Sequence, residues 1–193
     1  MMTNMKHLLL LCILLISFNS FADELSDAHE AYERGDYTTA ITSYTKAAEQ
    51  GDATAQVSLG LLYDVGKGTP QDYKAAIKWY TKAAEQGDGD ALLNLGWIYK
   101  NGEGTPQDYK QAIKWFTKAA EQGDVGAQFT LGLMYRNGDG TPQDNVMAYM
   151  LWNIAVANGY KYAKGNRDIV AKEMTSEKIL EAQQLAREWM KKY

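Results

Sequence analysis

The chain has 193 residues, 46% of them hydrophobic and 23% charged, and a formal net charge of −4. That length supports one domain with a sizeable core. A mildly acidic balance without a basic block argues against nucleic acid as a partner and against attraction to anionic lipid headgroups.

Residues 1–22 read as a secretory signal peptide. Lys6 supplies the positive start, Leu8 to Ile16 is an uninterrupted apolar run of nine, and Ser20-Phe21-Ala22 places small residues at a cleavage site before Asp23. A retained anchor is the alternative, but this run is half of the ~18 apolar residues that a span needs. Cys12, the only cysteine, sits inside the run and not at its end, so it reads as one more apolar residue and not as a lipid-attachment site. Cleavage would leave about 171 residues without cysteine and, with Lys6 gone and no acid lost, a net charge of −5. Such a chain has enough core to do without disulfides even in an oxidising compartment. No other run is long enough to cross a bilayer, so the mature chain is expected to carry no membrane span.

Residues 23–51 predict a helical hairpin, with helices over about 24–34 and 37–50. Only four residues, ERGD, separate Tyr32 from Tyr37. This short turn marks the hairpin as an N-terminal cap.

Residues 68–88 and 104–124 are nearly identical. They differ only by Ala75 against Gln111 and Tyr80 against Phe116, at an offset of 36 residues. A weaker copy begins at Gly140 with GTPQD, and a partial one precedes them over 37–52. A fixed period in this range is the signature of a repeat solenoid. The units run over 52–87, 88–123 and 124–159.

Within 52–87, Asp52 is a strong N-cap for a first helix over about 53–64. Ala55, Leu59, Leu62 and Tyr63 share one face of it. Gly60 beside that face costs about 1 kcal/mol against alanine, so it marks the close approach of another helix. Gly66, Gly68 and Pro70 make the turn, and Asp72 caps a second helix over about 73–86. Ala76, Ile77, Tyr80, Ala83 and Ala84 form its buried stripe, with Trp79 at the edge. A single hairpin cannot bury this face alone, so the units must stack.

These residues resemble the Sel-one-like repeat family, a branch of the tetratricopeptide repeats. The resemblance rests on Ala55, Leu59, Gly60, Tyr63, Gly66, Gly68, Asp72, Lys74, Ala75, Trp79, Tyr80, Lys82, Ala83, Ala84, Gln86 and Gly87, and on their counterparts in the next two units. The short turn of 23–51 is similar to an ordinary tetratricopeptide hairpin. The resemblance implies an all-α fold, a right-handed α/α superhelical solenoid of about ten helices. It also implies a protein-binding role, often in bacterial envelopes.

Residues 160–193 are expected to form a C-terminal cap. Ala163 stands 36 residues after Ala127, which predicts a helix starting near Lys161. Thr175 caps a last helix, SEKILEAQQLAREWMKK, with Ile179, Ala182, Ala186 and Trp189 on one face.

Catalytic chemistry finds little support. The mature chain has one histidine, His29, read as solvent-exposed or capping. Ser43 and Lys46 match S-x-x-K, but Ser43 is the repeat counterpart of Trp79 and Trp115, and the companion motifs are missing. Some cysteine-rich relatives in the family have carried a β-lactamase label, which does not carry over to a mature chain without cysteine. The glycines over 60–68 have the wrong spacing for a phosphate loop, and Asp64 and Asp72 lack the regular ligands of a calcium loop. No cofactor, metal site or catalytic residue is expected.

Binding should lie where the units differ at exposed positions, on the side of the first helix away from the Ala55–Leu59–Tyr63 stripe. By the resemblance, that side lines a concave groove. Its candidate residues are Leu61 and Asp64, then Leu93, Asn94, Trp97 and Lys100, then Phe129, Leu133 and Arg136. Asn101 and Asn137 border it and could bond a peptide backbone. The competing reading packs Val57, Leu61 and Phe129 on the neighbouring unit. Trp97 is the leading anchor, because it replaces a leucine found at the same position in both other units, and Trp is enriched among residues that dominate interface energy. The expectation is a monomeric, non-enzymatic scaffold that is exported, to the periplasm first and secreted as the alternative. It would hold a protein or peptide. The competing functions are a secreted effector or adhesin binding a host protein, and a hydrolase acting on cell-wall material.

Overall fold

The structure is a computed structural model that describes residues 24–193. The expected signal peptide and its cleavage site lie outside the described residues. Ten helices are present in order among the described residues, and no strand: α1 (24–33), α2 (Tyr37–Glu49), α3 (Ala53–Val65), α4 (Tyr73–Glu85), α5 (Gly89–Asn101), α6 (Tyr109–Glu121), α7 (Val125–Asn137), α8 (Asn145–Ala157), α9 (Ala163–Ala171) and α10 (Ser176–Lys192). Most bounds fall within a residue or two of those expected. α4 stops at Glu85, and α9 begins at Ala163 instead of Lys161.

The starts are set by side-chain caps. Asp36, Asp52, Asp72, Asp88, Asp108, Asp124 and Asp144 each accept a backbone N–H from the first turn of the next helix. Thr175 does the same for α10. The stop of α3 depends on glycine. Gly66 has φ 69° and donates its N–H to the Leu62 carbonyl, a left-handed cap. Gly68 has φ 72° and lies so close to Tyr37 that a Cβ would collide with it.

The helices gather into two compact units that divide between Gln86 and Gly87. In the first, α3 packs on both α2 and α4. Its core holds Ala28, Ala31, Tyr44, Leu59, Leu62 and Trp79. Burying one such leucine fully is worth roughly 1.5–3 kcal/mol. Trp79, expected at the edge, is only 7% exposed. It packs into that core, and Lys78 and Lys82 on its own helix also lie over the ring, with ammonium groups 5.4 and 4.4 Å from its centroid.

In the second unit, α5 packs on α6, α6 on α7, and α7 on α8. α8 also carries α9 and α10, and it buries Tyr149, Met150, Leu151, Trp152 and Ile154.

One contact recurs inside the hairpins. A Cβ on Gly60 would lie 2.7 Å from the Tyr80 ring, and one on Gly96 would lie 2.6 Å from the Phe116 ring. Gly132 meets the Trp152 ring in the same way, and the Trp152 indole N–H donates to the Phe129 carbonyl at 3.1 Å. The glycine expected to mark a close helix approach is thus a seat for the large aromatic residue of the second helix.

Candidate functional site

In the second unit, the first helices of two successive hairpins frame a cavity of about 400 Å³. α5 contributes Leu93, Trp97 and Lys100, and α6 contributes Phe116. Asp124 and Gly126, Phe129, Thr130 and Leu133 come from the start and body of α7, and Tyr160 from the turn after α8. The spacing follows from helix geometry. Leu93, Trp97 and Lys100 stand at i, i+4 and i+7, so they fall on one face. That face is turned away from the buried row of Ala91, Leu95 and Ile98.

The aromatic floor is held in place. Phe116 is fully buried against Gly96. Trp97 stands edge-on to it, centroids 5.2 Å apart at 80°, and is 42% exposed. Phe129 packs on Tyr160 at 5.3 Å, and Tyr160 on Tyr162 at 5.6 Å. The Lys100 ammonium lies 5.2 Å over the Trp97 ring, and Lys100 makes no ion pair among the described residues. The Asp124 carboxylate accepts the Ala127 N–H at 2.6 Å as the cap of α7.

Of the nine candidate residues, Leu93, Trp97, Lys100, Phe129 and Leu133 line this cavity. Asn94 is half-buried and is not among its lining residues. Arg136 turns elsewhere, donating to Asn145 Oδ1 at 3.2 Å and pairing with Glu173 at 2.8 Å. The amides of Asn101 and Asn137 are engaged locally, with Glu103 and Asp139. Leu61 and Asp64 belong to the first unit. Leu61 is 41% exposed there, and Asp64 accepts the Tyr80 hydroxyl at 3.3 Å and, through its carbonyl, the Gln71 amide at 2.6 Å. Burial, and then the Asp64 charge, push the Tyr80 phenol well above its ordinary range.

Phe116, Asp124, Thr130 and Tyr160 were not anticipated as part of the site. Tyr160 had a signal. It stands 36 residues after Asp124, where the repeat otherwise places a capping aspartate.

Lys100, Asp124 and Tyr160 are the ionisable residues of the cavity lining. His29 is exposed in the first unit, its ring edge-on to Tyr44 at 5.5 Å. Asp168 pairs with Lys164 and Arg167, whose hydrogen bonds hold its carboxyl below the usual carboxylate range. Among the described residues, no group of three or more His, Cys, Asp or Glu could hold a metal ion. No helix among them is long and apolar enough to cross a membrane. The site offers apolar contact, one cation, one carboxylate and the hydroxyls of Thr130 and Tyr160, which are tools of recognition.

The model of the Sel1 repeat family matches residues 28–52, 53–88, 89–124 and 125–160. The chain belongs to the Sel1 repeat family. The first matched repeat falls in the segment expected to be a tetratricopeptide-like cap. Among solved structures, this Sel1 repeat chain is similar to a Sel1 repeat protein from Oxalobacter formigenes, with 32% identity and a TM-score of 0.68 over 75% of this chain and 60% of that one. It is similar to a protective antigen of uropathogenic Escherichia coli displaying an SLR fold, with 29% identity and a TM-score of 0.55 over 90% of this chain and 46% of that one. It is also similar to cysteine-rich protein B of Helicobacter pylori, with 26% identity and a TM-score of 0.52 over 67% and 93%. The chain thus spans less than two thirds of the first two. Comparison with curated proteins gave no match. The fold class is the all-α solenoid of helix–turn–helix repeats, and Sel1 repeat proteins are generally protein-interaction scaffolds.

Proposed function

We propose that this Sel1 repeat protein is a non-enzymatic binding module of the bacterial cell envelope. It holds a protein or peptide partner against the first helices of its hairpins, with Trp97 as the anchor. The observation that supports this reading is the cavity around Trp97. A large aromatic side chain stands 42% exposed over a buried aromatic floor, at the position where the other units carry leucine. Exposed apolar surface framed by charge marks an interaction site more often than it marks a fold.

The test is a crosslinking pull-down from the envelope fraction with wild type beside Trp97→Glu, after circular dichroism melts establish that the variant is folded. A partner captured by wild type and lost from the folded variant is the expected result. A purified protein with robust hydrolytic turnover would overturn the reading.

A second reading is a secreted effector or adhesin that meets a host protein. The likeness to a protective antigen of uropathogenic Escherichia coli supports it. Fractionation into medium and periplasm separates the two, because a protein confined to the periplasm meets no host protein.

A further inference from the structure

We infer that the partner presents to the Trp97 cavity an extended segment with one large apolar side chain and an acidic residue beside it. This rests on the binding reading above and names the chemistry that the site selects.

The cavity is wide enough for a bulky side chain, since its volume of about 400 Å³ lies within the range of roughly 300–1,000 Å³ typical of ligand sites. Its walls are mainly apolar, from Leu93, Trp97, Phe116, Phe129 and Leu133, and the neutral hydrogen-bonding groups on its lining side chains are the Trp97 indole and the Thr130 and Tyr160 hydroxyls. An apolar group therefore fills it best. Leu93 to Lys100 covers two turns of α5, about 10 Å. That distance accommodates about three residues of extended chain. An internal segment with neighbours on both sides of the anchor fits this reach.

Charge sets the second requirement. Lys100 lies in the last turn of α5, held over the Trp97 ring and without a carboxylate partner among the described residues. Its counterpart in the next hairpin, Arg136, is already neutralised by Glu173. The other charge at the cavity, Asp124, is committed through Oδ1 to the N-terminus of α7, where the helix dipole favours it. Asp124 leaves an oxygen to accept a backbone N–H of the segment. Lys100 is the cation that remains to be matched, and a carboxylate next to the anchor matches it while the apolar contact keeps water away from the pair. A basic neighbour would leave Lys100 facing like charge in that same dry surrounding.

The test selects a random peptide library displayed on phage against the whole protein, with Lys100→Glu, Lys100→Gln and Trp97→Ala as parallel baits. Folding of each bait is established by circular dichroism, and affinities of selected peptides are measured by fluorescence anisotropy. The expected result is enrichment of peptides that pair a large apolar residue with a neighbouring Asp or Glu. Their affinity should fall at least about tenfold for Lys100→Glu, with Lys100→Gln between. The loss should shrink in high salt. Peptides that need Trp97, lack the acidic neighbour and bind Lys100→Glu equally well would overturn this inference and leave the binding reading standing. A selection that yields no peptide dependent on Trp97 would overturn both.

Discussion

At the scale of single residues, the Gly60–Tyr80, Gly96–Phe116 and Gly132–Trp152 contacts decide how close the two helices of a hairpin come. Adding a Cβ at position 96 gains about 1 kcal/mol of helix propensity. It also drives a methyl group into three atoms of a fully buried ring at 2.6–2.8 Å. Overpacking of that kind costs typically 1–3 kcal/mol, and a ring already enclosed has no easy retreat. Gly96→Ala should therefore destabilise by about 1–2 kcal/mol in urea denaturation. Trimming the ring as well, with Phe116→Leu, should give a double variant more stable than the two separate costs add up to. A second residue-scale prediction concerns Tyr80, whose phenol is pushed up by burial and then by Asp64. Its folded pKa lies above the unfolded value of about 10, so the folded state holds the proton more tightly. That contribution is complete below about pH 10 and is lost as the pH rises from there toward the folded pKa. Tyr80→Phe copies the residue already present at position 116. It should leave stability near pH 7 within about 1 kcal/mol, because the hydroxyl it removes makes one long bond to Asp64 at 3.3 Å. It should also flatten the alkaline decline, as urea melts at neutral pH and above pH 10 would show. An unchanged decline would place the titration elsewhere, on Tyr44 or Tyr135, which burial also pushes up.

At the scale of the element, one buried polar residue stitches successive helices together. The Gln128 amide donates to the Ala120 carbonyl at the end of α6, and its oxygen accepts from Asn158 at the end of α8. Gln56 does the same between Ala48 and Gln86 in the first unit. At the intervening position the chain has Leu92, fully buried, and Gln122, with no amide opposite it, donates instead to the Gly87 carbonyl at 2.8 Å. Position 128 should accordingly accept leucine better than alanine. Gln128→Leu keeps the volume and should cost about 1 kcal/mol, the net worth of the lost bonds. Gln128→Ala adds a cavity to the lost bonds and should cost about 2–3 kcal/mol. Equal losses in thermal or urea melts would mean that packing plays no part. These elements were largely legible in the sequence. The offset of 36 residues, the aspartate before each of α2 to α8 and the glycine on α3, α5 and α7 are local signals, and local signals repeat when the contacts they serve repeat. The glutamine bridge was not legible, because a buried glutamine and an exposed one look alike until its partners on two other helices are known.

At the scale of the whole molecule, legibility falls where the period ends. The cavity around Trp97 was half visible: Leu93, Trp97, Lys100, Phe129 and Leu133 follow from helical spacing, whereas Phe116 was read only as core and Tyr160 not at all. Arg136 was expected at a groove. It instead pairs with Glu173, a residue 37 positions away in a segment that no longer follows the repeat. The same segment closes the second unit. α10 lies on α8, with the Gln183 amide donating to the Tyr149 hydroxyl at 3.3 Å, and Leu185 and Trp189 gather around Met150. Without α9 and α10, α8 would present Tyr149 and Met150, now 7% and 3% exposed, to water. Each such side chain is worth roughly 1.5–3 kcal/mol of burial. A repeat array lacking a polar-faced terminal element also exposes a surface built to stack. A chain ending at Gly159 should therefore melt about 10 °C or more below the full chain, at roughly 2–4 °C per kcal/mol, and should associate as its concentration rises. Calorimetry with sedimentation across a concentration series reads both effects. Replacing Tyr149 and Met150 by lysine and glutamate in the shortened chain should remove the association and leave the lowered melting temperature. If the shortened chain instead melts with the full one and stays monodisperse, α9 and α10 are not a cap, and the apolar face of α8 is stable without cover.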